Sequence, residues 1–231
     1  MLIGGAENDP VVQKRFGLFG KALADKGWVE GRNLRLDPRW GGGNAERSQA
    51  LAAELVGLAP DVILATNTPT ARALKQATEA IPVVFAGLAD PIADGIVANL
   101  SKPGRNFTGF TSFNAAIAGK WLQLLKEISP GIRRTAIIYN PSTAPHAIFL
   151  PVMRSVAPQI GVSLTELAAA DKAAIEDGLG KFASAADGGV VVMPDVFTTL
   201  HRDTIFGITN RNRVPTVSPL RAYAAAGGLV S

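Results

Sequence analysis

The chain has 231 residues, 47% of them hydrophobic, with 24 glycines and 15 prolines, which suits a globular protein built from many short elements rather than a disordered chain. It has no cysteine, which excludes thiolate catalysis, disulfides and cysteine-held metal, and no run of ~18 apolar residues that would span a bilayer. The net charge of +4 comes from 23 basic and 19 acidic residues scattered along the chain, whereas a nucleic-acid surface gathers its basic residues into a patch or stripe.

No nucleic-acid partner is therefore expected. The two histidines, His146 and His201, stand far apart without a metal-ligand spacing, so neither a metal nor a cofactor is expected. The amino terminus, MLIGGAENDP, carries no basic segment followed by an apolar stretch, and any export signal is absent or already removed.

In chain order, β-branched runs alternate with segments of helical period, the pattern of βαβ units and a parallel sheet. The loop GGAENDP, with Asn8, precedes a helical stripe at Val12, Phe16, Phe19 and Leu23. NLRLDPRW reads as a strand, and DVILA as another that runs into TNTPT at 66–70. There Thr68 suits a helix N-cap and Pro69 the position where a missing N–H costs least. Capping does not account for Thr66 and Asn67. Free backbone N–H groups, the positive end of the helix dipole and added hydroxyl or amide groups make a site for a carboxylate, and this stretch alone serves the cap and the ligand contact equally well.

The strand PVVFA leads to AGLADP, with Asp90, and NFTGFT leads to a polar turn at 111–114. The segment AAIAGKWLQLLKEI places Ile117, Trp121, Leu124, Leu125 and Ile128 on one helical stripe, which Pro130 and Gly131 end. RTAIIY leads to NPST, with Asn140. A further stripe at Phe149, Val152, Met153 and Val156 precedes the strand VSLTEL, GVVVM leads to PDVFTT with Asp195 and Phe197, and VPTVS is the last strand. In such sheets ligands lie beyond the carboxyl ends of the strands, where these polar loops gather. Each Asn-Pro, Asp-Pro or Thr-Pro pair also has a plain turn-forming reading, but together they suit a small polar solute.

The loop and short strand of SKPGRNFTGFTSFNAA interrupt the series and a second set of βα units follows. Two α/β lobes are expected, at 1–110 and 111–231, with the crossing near Phe110 to Asn114; one large doubly wound domain with a long loop is the alternative.

GWVEGRNLRLDPRW at 27–40, PDVILATNTPTARAL at 60–74, IPVVFAGLADPIADG at 81–95, and NFTGF followed by GKWLQLLKEISPGIRRTAIIYNPS resemble the ABC-transporter solute-binding proteins that include tryptophan-binding members. The resemblance implies a type I periplasmic-binding-protein fold, with two doubly wound parallel-sheet lobes joined by hinge strands and a solute clamped between them. It implies ligand contacts from Thr66, Asn67, Thr68 and Asp90 of the first lobe, and from Thr111, Ser112, Phe113, Asn140, Asp195 and Phe197 of the hinge and second lobe. The implied function is non-enzymatic: capture of a small amino-acid-like or aromatic carboxylate ligand outside the cytoplasm, in the periplasm of a bacterium with one, and delivery to an ABC permease in the membrane. The start of the helix at Thr68 would take the carboxylate, Asp90 or Asp195 the ammonium, and Phe113 or Phe197 the side chain. The chain departs from the family at both ends, with a short first strand and a stop at Ser231 before the usual return crossing to the first lobe, so a C-terminally truncated form is expected.

Two other classes stand as alternatives, a ligand-sensing domain of a signalling or regulatory protein and, behind it, a nucleotide-dependent enzyme. A ligand-sensing domain of a repressor carries a helix-turn-helix module before the first lobe, and this chain begins at that lobe. A nucleotide-dependent enzyme needs a phosphate loop; GGGNAE at 41–46 has Glu46 where the dinucleotide fingerprint needs its last glycine or alanine.

Overall fold

The computed structural model describes residues 1–230. They form two compact units, the first Met1–Ser112 and the second from Phe113 onward. Each has its own parallel sheet and its own apolar core, so the chain is two α/β lobes and not one large doubly wound domain.

In the first unit the elements run β1 (Leu2–Ile3), α1 (Pro10–Ala24), β2 (Arg39–Trp40), α2 (Ala45–Gly57), β3 (Ile63–Ala65), α3 (Thr68–Ala77), β4 (Val83–Leu88) and β5 (Phe107–Thr111). The sheet order is β2-β1-β3-β4-β5, all parallel. Leu2, Ile63, Ala65, Val83, Phe85 and Phe107 send their side chains into a core closed by Leu55 of α2 and Leu74 of α3. NLRLDPRW forms far less strand than its β-branched and aromatic content suggests: Arg39 and Trp40 alone join the sheet. Helix α1 has no fully buried residue; Val12, Phe16, Phe19 and Leu23 are half-buried, with Phe16 edge-on to Trp40 at 5.3 Å.

The second unit runs α4 (Ile117–Ile128), β6 (Arg134–Tyr139), α5 (His146–Val156) with a 3₁₀ turn at Ala157–Ile160, β7 (Ser163–Ala168), α6 (Lys172–Ala183), β8 (Gly188–Val192), α7 (Val196–Leu200), α8 (Arg202–Arg211), β9 (Thr216–Val217) and α9 (Arg221–Ala225). Its sheet order is β7-β6-β8-β9, again all parallel. Strand β8, GGVVV, is buried at every residue, as a central parallel strand covered on both faces must be. The buried face of α4 is Ala118, Trp121, Leu122 and Leu125, whereas Ile128 is exposed. The face is thus rotated from the sequence expectation, because a helix that also buries Ala118 and Gly119 presents a wider stripe than its large residues mark.

Candidate functional site

A doubly wound sheet opens a crevice where the strand order reverses direction, at the carboxyl ends of the two strands flanking that point. In the first unit these are β1 and β3, and in the second β6 and β8. In both units one hydrogen bond joins the residues that follow these two strands. The Gly4 N–H donates to the Thr66 hydroxyl at 3.0 Å, and the Asn140 N–H donates to Asp195 Oδ2 at 3.2 Å.

The first pair opens on the start of α3. Asn67 is in extended backbone, φ −165° and ψ 174°, and its Oδ1 accepts the Thr70 N–H at 2.9 Å while the Thr70 hydroxyl accepts the Asn67 N–H at 3.2 Å. The N-cap is therefore Asn67, and the expectation that Thr68 caps this helix is corrected: Thr68 is the first helical residue, with Pro69 following. Asparagine wins because its carbonyl reaches the third helical N–H from extended backbone. This box also uses donors that were expected to be free. Pro69 has no N–H, the Thr70 N–H is occupied and the Thr70 hydroxyl donates to the Asn67 carbonyl at 2.9 Å, so the donors the cap leaves at this end are the Thr68 N–H, the Thr66 and Thr68 hydroxyls and the Asn67 amide. Thr66 accepts from Gly4 and so keeps its own proton for donation. The Asn67 Nδ2 is buried, with no hydrogen-bond partner among the described residues. Gly4 makes room for it: a Cβ on Gly4 would lie 1.7 Å from Asn67 Nδ2. The next strand bulges beside this cluster at Gly87, φ +79°.

Asp90 follows β4. Its Oδ1 accepts the N–H groups of Ile92 at 3.1 Å and Ala93 at 3.0 Å, the geometry of a turn cap. The loop it starts is tied to α3, since Arg72 pairs with Asp94 and Lys75 donates to the Gly95 carbonyl. Asn8 is exposed; the residue that caps α1 is its neighbour Asp9, buried, whose Oδ1 accepts from Val11 at 2.8 Å and Val12 at 3.2 Å. Thr111 and Ser112 are exposed at the end of β5, with Ser112 N–H bonded to the Leu88 carbonyl at 3.0 Å. GGGNAE is a turn that delivers Asn44 as the N-cap of α2, its Oδ1 accepting the Arg47 N–H at 2.8 Å.

In the second unit Asn140 is buried and organises the turn after β6: its Oδ1 accepts the Ser142 N–H at 2.8 Å. Asp195, also buried, caps α7 through Oδ1, which accepts the Phe197 N–H at 3.2 Å. Burial pushes the Asp195 carboxyl up to about 6, even though the nearby Thr143 hydroxyl and the N–H groups of Phe197 and Asn140 favour the anion. The ring of Phe197 is 5% exposed, lies in the core of this unit and meets His201 edge-on at 4.6 Å, so it has little surface left for a ligand. Phe113 is half-buried against Trp121 at 6.1 Å and Phe149 at 6.4 Å. Burial lowers the pKa of His201 below its ordinary value.

Sequence reasoning missed Tyr223. Its hydroxyl is fully buried behind the Asp195 turn, 2.9 Å from the Thr198 hydroxyl, 2.7 Å from the Thr199 hydroxyl and 3.2 Å from the Asp195 carbonyl oxygen. Burial pushes its pKa up to about 12. A lone tyrosine near the end of the chain carries no local signal for such a role. Among the described residues, no group of His, Asp and Glu is placed to hold a metal ion, and no helix is long and apolar enough to cross a membrane.

Residues 6–231 match the family described as ABC transporter substrate binding protein. A curated relative, the tyrosine-binding protein of Clostridioides difficile, is 26% identical over 91% of this chain, and the chain spans 60% of that relative's length. Among solved structures, a conserved domain protein from Vibrio cholerae is 26% identical with a TM-score of 0.89, over 98% of this chain and 76% of its own. The ABC domain of Streptococcus pneumonia solved in complex with L-Trp matches at 22% identity and a TM-score of 0.88, over 100% of this chain and 77% of its own. The two parallel-sheet lobes, with a polar pair at the reversal point of each, have the type I periplasmic-binding-protein fold, and the chain belongs to the ABC transporter substrate-binding protein family.

Proposed function

We propose that this protein is the non-enzymatic, extracytoplasmic solute-binding component of an ABC importer, and that it captures a small amino-acid-like or aromatic carboxylate ligand between its two units and presents it to a membrane permease. The ligand favours the closed form by touching both units, so hinge closure and binding are one equilibrium. The observation that carries this reading is the matched placement of polar groups at the strand-order reversal of both sheets. The first unit offers donors: the Thr66 and Thr68 hydroxyls, the Thr68 N–H and the buried Asn67 amide. They suit a carboxylate, the more so at the positive end of α3. The second unit offers an acceptor, the Asp195 carboxylate, which suits an ammonium. The ligands named for the relatives, tyrosine and L-Trp, carry both groups and an aromatic side chain, for which Phe113 is the better placed of the two phenylalanines because its ring is half-buried and that of Phe197 is not.

The test is a thermal-shift screen of the whole chain against L-tryptophan, L-tyrosine, other amino acids and small aromatic acids. A ligand at about 100 times its Kd stabilises the native state by about 2.7 kcal/mol, which moves Tm by several degrees. No shift from any of these compounds at millimolar concentration would overturn the proposed ligand class.

A further inference from the structure

We propose that Tyr223 is the positioning residue of the Asp195 turn, fixing the loop after β8 through its hydroxyl so that the carboxylate is presented in one orientation. This rests on the reading of Asp195 as a ligand contact. Three hydroxyls, those of Tyr223, Thr198 and Thr199, meet two backbone carbonyls there. Thr198 reaches the Met193 oxygen at 2.8 Å, and Thr199 reaches the Asp195 oxygen at 2.7 Å. Each hydroxyl has one proton. With the threonine protons on these two carbonyls, the tyrosine proton goes to a threonine oxygen or is shared with the Asp195 oxygen, and every donor in the cluster is satisfied.

Helix α7 has five residues, too few to hold itself. The carboxylate of Asp195 is aimed from the residue before it, while the carbonyl of that same residue is held from behind by α9 through Tyr223. The ring is packed independently of the hydroxyl, tilted against Phe206 at 5.9 Å, so removal of the oxygen separates positioning from packing. A tyrosine retained only to fill the core would do so equally well as phenylalanine.

The experiment is hydrogen exchange on the ligand-free whole chain, wild type against Tyr223→Phe. The amides of Asn140 and Phe197, which bind the Asp195 carboxylate, should exchange about tenfold faster in the variant, the effect of losing about one hydrogen bond from a local opening unit. The amides of Ile137 and Val191 inside the sheet should keep their wild-type rates. Unchanged rates at Asn140 and Phe197, or an equal acceleration of all four amides, would overturn the proposal, the second because it reports global stability alone. Should Tyr223→Phe fail to fold, Thr199→Val removes a hydroxyl from the other side of the same network and should give the same selective pattern; its absence there counts equally against positioning. The ligand role is tested separately: Asp195→Asn binding L-tryptophan as tightly as wild type would remove Asp195 from the ligand site while leaving the exchange result intact.

Discussion

The side-chain oxygen of Asn67 accepts the N–H of Thr70 at 2.9 Å, and the hydroxyl of Thr70 accepts the N–H of Asn67 at 3.2 Å. This reciprocal pair decides what the TNTPT stretch can offer a ligand. It satisfies two backbone donors internally, so a carboxylate there would be held by side chains and one N–H rather than by an open helix end.

The cap can be assigned by substitution. Asn67→Ala removes the acceptor and should cost about 1 kcal/mol in ligand-free urea unfolding, whereas Thr68→Ala leaves the cap whole and should cost less. Equal losses from the two variants would return the cap to Thr68.

Gly4 and Asn67 should be energetically coupled. A Cβ on Gly4 would overlap the Asn67 amide, whose nearest atom is 1.7 Å away, so Gly4→Ala must turn that side chain out and lose its cap, a cost of about 1 kcal/mol or more. In an Asn67→Ala background the obstruction is gone and the same change should be nearly free. The double-mutant cycle measures the difference; strict additivity would show that Gly4 is required for another reason.

The alternation of β-branched and helical segments was enough to predict two sets of βα units, because periodicity and turn residues are local. The start of α3 was legible to within one residue, since Asn, Thr and Pro all favour helix starts and the sequence does not say which of them the backbone extends through. Asn8 was singled out as a ligand contact, and the structure shows that its neighbour Asp9 caps α1. What stayed hidden depends on the third dimension. That Gly4 shelters Asn67 links residues 63 positions apart that follow two paired strands, with the Gly4–Thr66 bond spanning 62, and Tyr223 meets Asp195 across 28 residues. The length of β2 was misjudged because strand propensity in NLRLDPRW reports side-chain fit to a sheet that is present only at its end.

Stability should depend on pH through Asp195 in the sense opposite to a salt-bridged carboxylate. Its folded pKa of about 6 lies above the ordinary 3.8, so between those values the native state binds more protons than the unfolded state and its stability falls as pH rises. At about 1.4 kcal/mol per unit, the loss reaches about 3 kcal/mol above pH 6. His201, lowered by burial, acts the other way, losing stability as pH falls through its unfolded value. Comparison with Asp195→Asn cancels the histidine. The variant faces two N–H donors with one amide group that cannot accept, a cost independent of pH, but relative to wild type it should gain from about pH 4 to about pH 6 in urea unfolding and level off above. A difference that is flat with pH would show that the buried carboxyl titrates normally.

Ligand binding gives the decisive test of TNTPT. If Thr66, Asn67 and Thr68 hold a carboxylate, the Thr66→Ala, Asn67→Ala double variant loses a hydroxyl donor and the buried amide at once, and affinity for L-tryptophan should fall about tenfold or more, taking a net loss near 1 kcal/mol per hydrogen bond. The variant also loses the helix cap, so its ligand-free stability must be measured beside the titration. A cap loss alone lowers Tm and leaves the Kd of the folded protein near that of wild type. The ligand offers an independent check: the methyl ester of L-tryptophan keeps the ammonium and the ring but removes the negative charge, and it should bind the wild type at least about tenfold more weakly than the free acid, since hydrogen bonds to charged groups contribute about 1.5 to 3 kcal/mol. Equal calorimetric affinities for ester and acid, or a double variant that binds as wild type does, would reduce the cluster to a helix start and move the carboxylate elsewhere.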